Sequence, residues 1–176
     1  IIVPVQKSTG ELLGIPESNL HIRKDATLNN MLAEINWMQN IAKAYGAEAR
    51  FIFYYAGHGM PDESNGTSYL LPVDGKSNIP ATGYSMSRLY AELNGLNAPC
   101  VTVLMDACFS GSKRGEGMLA SARGVALKAK AEAPKGNMLV MTAAQGSETA
   151  YPYKEKKHGL FTYFLLKKLQ ESKGKV

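Results

Sequence analysis

The sequence predicts an α/β fold in which a mostly parallel central sheet carries helices on both faces. Three short apolar runs support this prediction, because continuous aromatic and β-branched runs are typical of buried parallel strands. They are FIFYYA at 51–56, CVTVLM at 100–105 and MLVMT at 138–142. Segments with apolar residues at helical spacing lie before and between them. Strands that alternate with helices in this way usually form a parallel sheet.

The first helix is predicted from its end signals. Thr27 is a candidate N-cap, and Gly46 stops the apolar pattern. The segment from Leu20 to Arg23, just before this helix, has the pattern of a short strand. The helical positions that carry the prediction are Leu28, Leu32, Ile35, Met38, Ile41 and Ala42.

The remaining elements are shorter. Tyr69-Leu70-Leu71 has the pattern of a small hairpin arm, and Pro72 limits it. Two further helices are predicted, one from Ser85 or Ser87 to Leu93 and one from about Gly159 to Leu169.

Composition narrows the possible function classes. With 176 residues, 45% of them hydrophobic, the chain can form one domain over 1–176 with a proper core. No apolar run approaches the roughly 18 residues of a membrane span. The net charge of +5 is dispersed, which argues against a nucleic-acid site. Localisation cannot be predicted from a chain that starts Ile1-Ile2-Val3.

The two cysteines, Cys100 and Cys108, are not expected to pair. If both lie on the second strand, eight residues of rise separate them by ~26 Å. A disulfide needs Cα atoms within about 7 Å. Two separate thiols also provide no metal-binding cluster, so no metal site is predicted from them. Cys100 is interpreted as a packing residue.

The chemistry-bearing motifs follow the first two predicted strands. Gly57-His58-Gly59 comes after the first, and Asp106 to Gly111 (DACFSG) comes after the second. If the strands are parallel neighbours, both motifs open onto the same sheet edge, where ligands of such sheets bind. A thiolate at Cys108 could then attack a carbonyl while His58 takes and returns a proton. The backbone N–H groups of Gly59 and Cys108 are candidate oxyanion donors.

These motifs resemble those of the caspase-like cysteine peptidases, nearest to the metacaspase and bacterial branches. YYAGHG at 54–59 precedes DACFSG at 106–111, with the His about 50 residues before the Cys as in caspases. The similarity extends to LGIP at 13–16 with Asn19, YLLPVDG at 69–75 and HGLFTYFLL at 158–166. The resemblance implies a caspase-like three-layer sandwich and a cysteine endopeptidase that acts through an acyl-enzyme.

Asp106 replaces the Gln of caspases in the Cys motif. A carboxylate near the thiol opposes ionisation of Cys108, and continued strand alternation would put both side chains on one side. Asp106 fits better at the floor of a pocket for a cationic side chain. In metacaspases the matching Asp lines the Arg/Lys pocket, so the resemblance implies cleavage after Arg or Lys. The plainer alternative is a strand-end carboxylate that caps nearby N–H groups.

Self-cleavage is expected in the 109–136 linker, as in many relatives. The candidate sites are Lys113, Arg114 and Lys135, because glycines keep part of the segment accessible. The alternative is a solvated connection with a helix from Met118 to Ala133, which would protect Lys128 and Lys130.

Other candidates receive mostly structural interpretations. His21 and the His158-Gly159 pair are interpreted as structural, and Glu148 or Tyr151 either contacts substrate or belongs to an ordinary loop. Relatives are often calcium-activated, but no cofactor is expected here. The acidic residues nearest to a calcium site would be Asp62, Glu63 and Asp74.

The resemblance leaves the termini incomplete. Relatives usually open with a full apolar strand, for which only Ile1 to Val5 is available, and Val176 precedes the last strand and helix of many of them. The competing functions are a catalytically silent caspase-like interaction module and a flavodoxin-like binding domain. The second would need a phosphate-binding glycine loop after the first strand, and none is visible.

Overall fold

A computed structural model describes residues 11, 13–62, 66–107, 109, 136–143, 152–153 and 158–174. The helices in these residues are α1 (Leu28–Tyr45), α2 (Met86–Asn94) and α3 (Leu160–Glu171). The strands are β1 (Arg50–Ala56), β2 (His58–Pro61), β3 (Ser68–Leu71), β4 (Tyr84–Ser85), β5 (Cys100–Asp106), β6 (Met138–Thr142), β7 (Pro152–Tyr153) and β8 (His158–Gly159).

Helix α1 begins and ends where the end signals predict. The Thr27 side chain accepts from Asn30 N, and the Asn30 side chain accepts from Thr27 N, which forms a capping box. A third acceptor comes from far along the chain, because Asp74 Oδ1 accepts from Leu28 N at 2.9 Å. Gly46 ends the helix with a φ of 52°, a conformation that favours glycine.

The main sheet is parallel, with strand order β1-β5-β6. Each residue of β1 pairs with the residue 50 positions later, from Arg50 with Cys100 to Ala56 with Asp106. The prediction that the first two apolar runs are parallel neighbours is therefore confirmed.

Helices lie on both faces of this sheet, as predicted. Side chains of α1 and α2 share a core with Phe51, Val101 and Val103 on one face. Helix α3 reaches the opposite face, where the Thr162 hydroxyl lies 2.7 Å from the Tyr54 hydroxyl.

The expectation that the strands are fully buried is wrong on that second face. Ile52 is 43% exposed and Leu139 is 54% exposed. These two residues flank Thr102 at one level of the sheet. Among the described residues, α1 and α2 fill only the face that carries Phe51, so the strands alternate between a buried and a partly exposed side.

The predicted strand from Leu20 to Arg23 is also wrong, because this segment has no strand pairing. Its polar side chains bind α1 instead. His21 stacks on Trp37 at 3.8 Å and its Nδ1 lies 2.6 Å from Glu34 Oε2. Arg23 Nε donates to Glu34 Oε1 at 2.6 Å. These contacts agree with a structural role for His21.

Strands β2, β3 and β4 form a separate antiparallel sheet, called the arm below. It contains the small hairpin predicted at Tyr69–Leu71, and β2 starts with His58. Helix α2 follows β4 directly, with Ser85 as its N-cap. No helix in the described ranges is long and apolar enough to cross a membrane.

Candidate active site

The candidate site lies where β1 and β5 end together. Ala56 pairs with Asp106, and Gly57 N donates to Asp106 O at 3.3 Å. The chain that leaves β1 therefore enters the Gly-His-Gly motif directly beside the end of β5. The offset of 50 residues between the strands equals the spacing from His58 to Cys108.

Cys108 itself lies outside the described residues, so its distance to His58 is not described. Strand β5 ends at Asp106. The expectation that strand alternation puts the Asp106 and Cys108 side chains on one side stays a prediction, because it concerns a residue outside the described ranges. Of the residues flanking the cysteine, Ala107 is buried and Phe109 packs against the core.

His58 is exposed and opens β2, where it pairs with Leu71. Tyr55 binds the backbone of His58, because its hydroxyl lies 2.8 Å from His58 O and 3.1 Å from Leu71 O. Burial raises the pKa of the Tyr55 hydroxyl, although its hydrogen bond to Leu71 acts in the opposite direction. The hydroxyl therefore stays protonated and remains a donor.

Gly57 makes this turn possible. A Cβ at this position would lie 2.6 Å from Tyr55 Oη, which is closer than side-chain atoms approach each other. A larger residue would displace either the Tyr55 ring or the segment that carries His58. The requirement for glycine here comes from close packing.

Asp106 is 2% exposed, and its carboxylate meets the start of α3. Thr162 Oγ1 donates to Asp106 Oδ2 at 2.5 Å, and Thr162 N donates to the same oxygen at 3.3 Å. Asp106 thus caps α3, whose own N-cap residue Gly159 makes no side-chain cap bond. The plainer interpretation of Asp106 is observed, and its contact with substrate stays a prediction.

Gly159 allows this approach. A Cβ built on it would overlap both carboxylate oxygens of Asp106. The backbone of the His158-Gly159 pair also forms β8 against β7, and the interpretation of His158 itself as structural stays a prediction.

The residues that sequence reasoning missed are Tyr55, Thr162 and the partner role of Gly159. Thr162 and Gly159 have no local signal, because both act through Asp106, which the fold brings close to them. Tyr55 lies three positions before His58, but an aromatic residue in an apolar run does not reveal where its hydroxyl binds. Thr162 and Asp106 are 56 positions apart.

Of the calcium candidates, Asp74 uses its carboxylate to cap α1. Asp62 follows β2, where its backbone N–H donates to Thr67 O at 2.7 Å. Glu63 lies outside the described residues. Within the described part of the chain, no group of three or more His, Cys, Asp or Glu residues could hold a metal ion.

The remaining predicted site residues fall outside the described ranges. They are Lys113, Arg114, Lys135, Glu148 and Tyr151. Cys100 is half-buried at the start of β5, with Sγ 3.8 Å from Thr102 Oγ1, which agrees with a packing role.

Comparison with known proteins bears on this arrangement. A family model described as a caspase domain matches residues 13–175. A crystal structure of protein GSU0716 from Geobacter sulfurreducens has a TM-score of 0.54 and 22% identity over 84% of this chain. The chain spans 63% of the length of that protein, and the likeness concerns the fold alone. No curated protein matched the chain.

Proposed function

The chain belongs to the caspase domain family, and we propose that it is a cysteine endopeptidase that cleaves peptide bonds after Arg or Lys. The observation that carries this proposal is the pairing of Ala56 with Asp106. Because of this register, the Gly-His-Gly and Asp-Ala-Cys motifs leave neighbouring parallel strands at the same edge, where a peptide could reach both.

The proposed reaction starts with transfer of the Cys108 thiol proton to His58. The sulfur attacks the carbonyl carbon of the scissile bond and forms a tetrahedral intermediate. As this collapses, the C–N bond breaks and protonated His58 gives its proton to the leaving amine. Water, deprotonated by His58, then attacks the thioester, releases the new carboxyl terminus and restores the thiol.

The oxyanion of the intermediate would be bound by the N–H groups of Gly59 and Cys108. Strand register supports the role of Gly59. Paired residues of an antiparallel ladder alternate between hydrogen-bonded and non-hydrogen-bonded positions. Counting back from the bond of Asp62 N to Thr67 O, Gly59 falls at a non-hydrogen-bonded position opposite Leu70. Its N–H then points away from β3, toward the outer side of the arm.

The preference for Arg or Lys rests on Asp106. It is the only charged residue that is buried in the described part of the chain, and it lies at the edge that carries both motifs. The donors from Thr162 offset part of the cost of burying this carboxylate. A cationic side chain of the substrate would bring an opposite charge to this carboxylate.

The substrate is accordingly a protein or peptide with Arg or Lys at the cleaved position. We propose that no cofactor takes part, and that the enzyme also cuts its own 109–136 linker. The same family membership is compatible with a catalytically silent interaction module, which the following experiment distinguishes.

The test is covalent labelling of the purified chain with an acyloxymethyl ketone that carries Arg, read by intact mass. We expect one adduct on the wild type, none on Cys108→Ala, and much slower labelling by the matched ketone that carries Asp. Failure of every ketone to react would favour the silent module. Faster labelling by the Asp ketone would overturn the basic specificity.

A further inference from the structure

We propose that Thr162 is a specificity-positioning residue, which fixes the Asp106 carboxylate for the cationic side chain of the substrate. The inference rests on the proposed function, since it concerns the same pocket. It adds α3 to the specificity machinery, although this helix follows both catalytic motifs in the chain.

The hydrogen bonds of Thr162 have a defined direction. A carboxylate only accepts, so the single hydroxyl proton of Thr162 goes to Asp106 Oδ2 at 2.5 Å. The Tyr54 hydroxyl, 2.7 Å from Thr162 Oγ1, must then be the donor to Thr162. A chain of donors therefore runs from Tyr54 through Thr162 to Asp106.

The chain of donors restricts how the carboxylate can turn. The last torsion of an Asp side chain is broad and roughly two-fold, so it is poorly fixed without partners. Here the same oxygen receives the Thr162 hydroxyl and, at 3.3 Å, the Thr162 amide. The backbone of Gly159 packs against the carboxylate so closely that a Cβ on this residue would overlap it.

Three elements meet in this network, because Tyr54 lies on β1, Asp106 ends β5 and Thr162 lies in the first turn of α3. Thr162 is 3% exposed and Asp106 is 2% exposed. Water therefore competes little for these bonds, and their loss should change the orientation of the Asp106 carboxylate.

Two substitutions at Thr162 separate the hydroxyl from the shape of the side chain. Thr162→Val keeps the branched shape and the backbone amide that donates to Asp106, but its side chain has no hydroxyl to donate. Thr162→Ser keeps the hydroxyl and loses a methyl group. Thr102→Val on β5 is the matched control, because Thr102 is half-buried and its hydroxyl lies 3.8 Å from Cys100 Sγ, away from Asp106.

The experiment measures kcat and KM for peptides with Arg or Gln at the cleaved position, together with iodoacetamide alkylation of the thiol. For Thr162→Val we expect KM for the Arg peptide to rise about tenfold, as for loss of a hydrogen bond to a charged group. The Gln peptide and the alkylation rate should change little. Thr162→Ser and Thr102→Val should resemble the wild type.

Tyr54→Phe provides a second variant if Thr162→Val folds poorly, and it should shift the Arg-to-Gln ratio in the same direction. A wild type that prefers Arg, with this ratio unchanged in both Thr162→Val and Tyr54→Phe, would overturn the role of Thr162 alone. An equal loss on Arg and Gln peptides would also overturn it, since that indicates a structural effect. A wild type without preference for basic residues would overturn the proposed specificity as well.

Discussion

The hydroxyl of Tyr55 lies 2.8 Å from the backbone carbonyl oxygen of His58, three positions further along the chain. The bond closes the turn by which the chain leaves the main sheet and enters the arm. Tyr55 packs against the core, so the position of the proposed base is tied to the interior of the domain through one phenol.

Removing this hydroxyl should reduce turnover without changing substrate affinity. Tyr55→Phe removes the side-chain donor shared by the carbonyls of His58 and Leu71, which are also paired in the β2–β3 ladder. We expect kcat for an Arg peptide to fall about tenfold with KM nearly constant, and the free energy of unfolding to fall by about 0.5–1.5 kcal/mol. Kinetics and denaturant melts measure both. Tyr45→Phe, at a side chain that is 60% exposed, is the control. An unchanged kcat would remove Tyr55 from the positioning of His58.

Loss of either proposed catalytic residue should abolish activity and leave the fold intact. Cys108→Ala and His58→Ala should each lower turnover of an Arg peptide by several orders of magnitude. His58 is exposed, so its removal should cost little stability. Circular dichroism and thermal melts check the fold beside the rate. Activity near the wild-type level in either variant would refute the mechanism.

Asp106 should affect specificity and stability separately. Asp106→Asn keeps a carbonyl oxygen that can accept from Thr162, so the start of α3 should stay capped. Cleavage after Arg and Lys should nevertheless weaken by about 2–5 kcal/mol, as when one partner of a buried charge pair is lost. Asp106→Ala should lose both the preference for Arg and Lys and the cap of α3. Loss of the cap should lower the free energy of unfolding by about 1–2 kcal/mol. Peptides with Arg, Lys, Gln and Asp, combined with melts, provide the readout. Unchanged preference in Asp106→Asn would assign the residue to structure only.

Prolonged incubation should cut the wild-type chain after Lys113, Arg114 or Lys135. These residues lie outside the described ranges, and the prediction rests on their position in the glycine-containing linker. Intact mass of the wild type and of Cys108→Ala should show two fragments in the former only, with a basic residue at the new C-terminus. A single uncut chain with full activity would exclude autoprocessing from the mechanism.

Chelation of calcium should leave the rate unchanged. The Asp74 carboxylate already accepts from Leu28 N, so Asp74 is better explained as a cap of α1. The measurement compares Arg-peptide turnover with excess EGTA and with added calcium. A loss of activity in EGTA that calcium restores would contradict this expectation.

The sequence predicts the fold well where signals are local. Apolar runs identify β1, β5 and β6, and Thr27 and Gly46 identify the ends of α1. The segment from Leu20 to Arg23 was mispredicted because its pattern resembles a strand, whereas its polar side chains bind Glu34 and Trp37.

The candidate site is predictable only in part, because some of its contacts join residues that are far apart in the sequence. Its motifs are local, but the contact of Asp106 with Thr162 and Gly159 depends on where α3 returns to the sheet. Such long-range packing has no counterpart in a short window of sequence.

The matched register of β1 and β5 also has a consequence for how related chains can differ in length. Insertions in the loop between β2 and β3 would change the His-to-Cys spacing without moving either motif from its strand end. One extra residue within β1 or β5 would break the pairing of Ala56 with Asp106 and turn the following side chains to the opposite face. A search for distant relatives should therefore match the distance from each strand start to its motif, and allow the interval between the two motifs to vary.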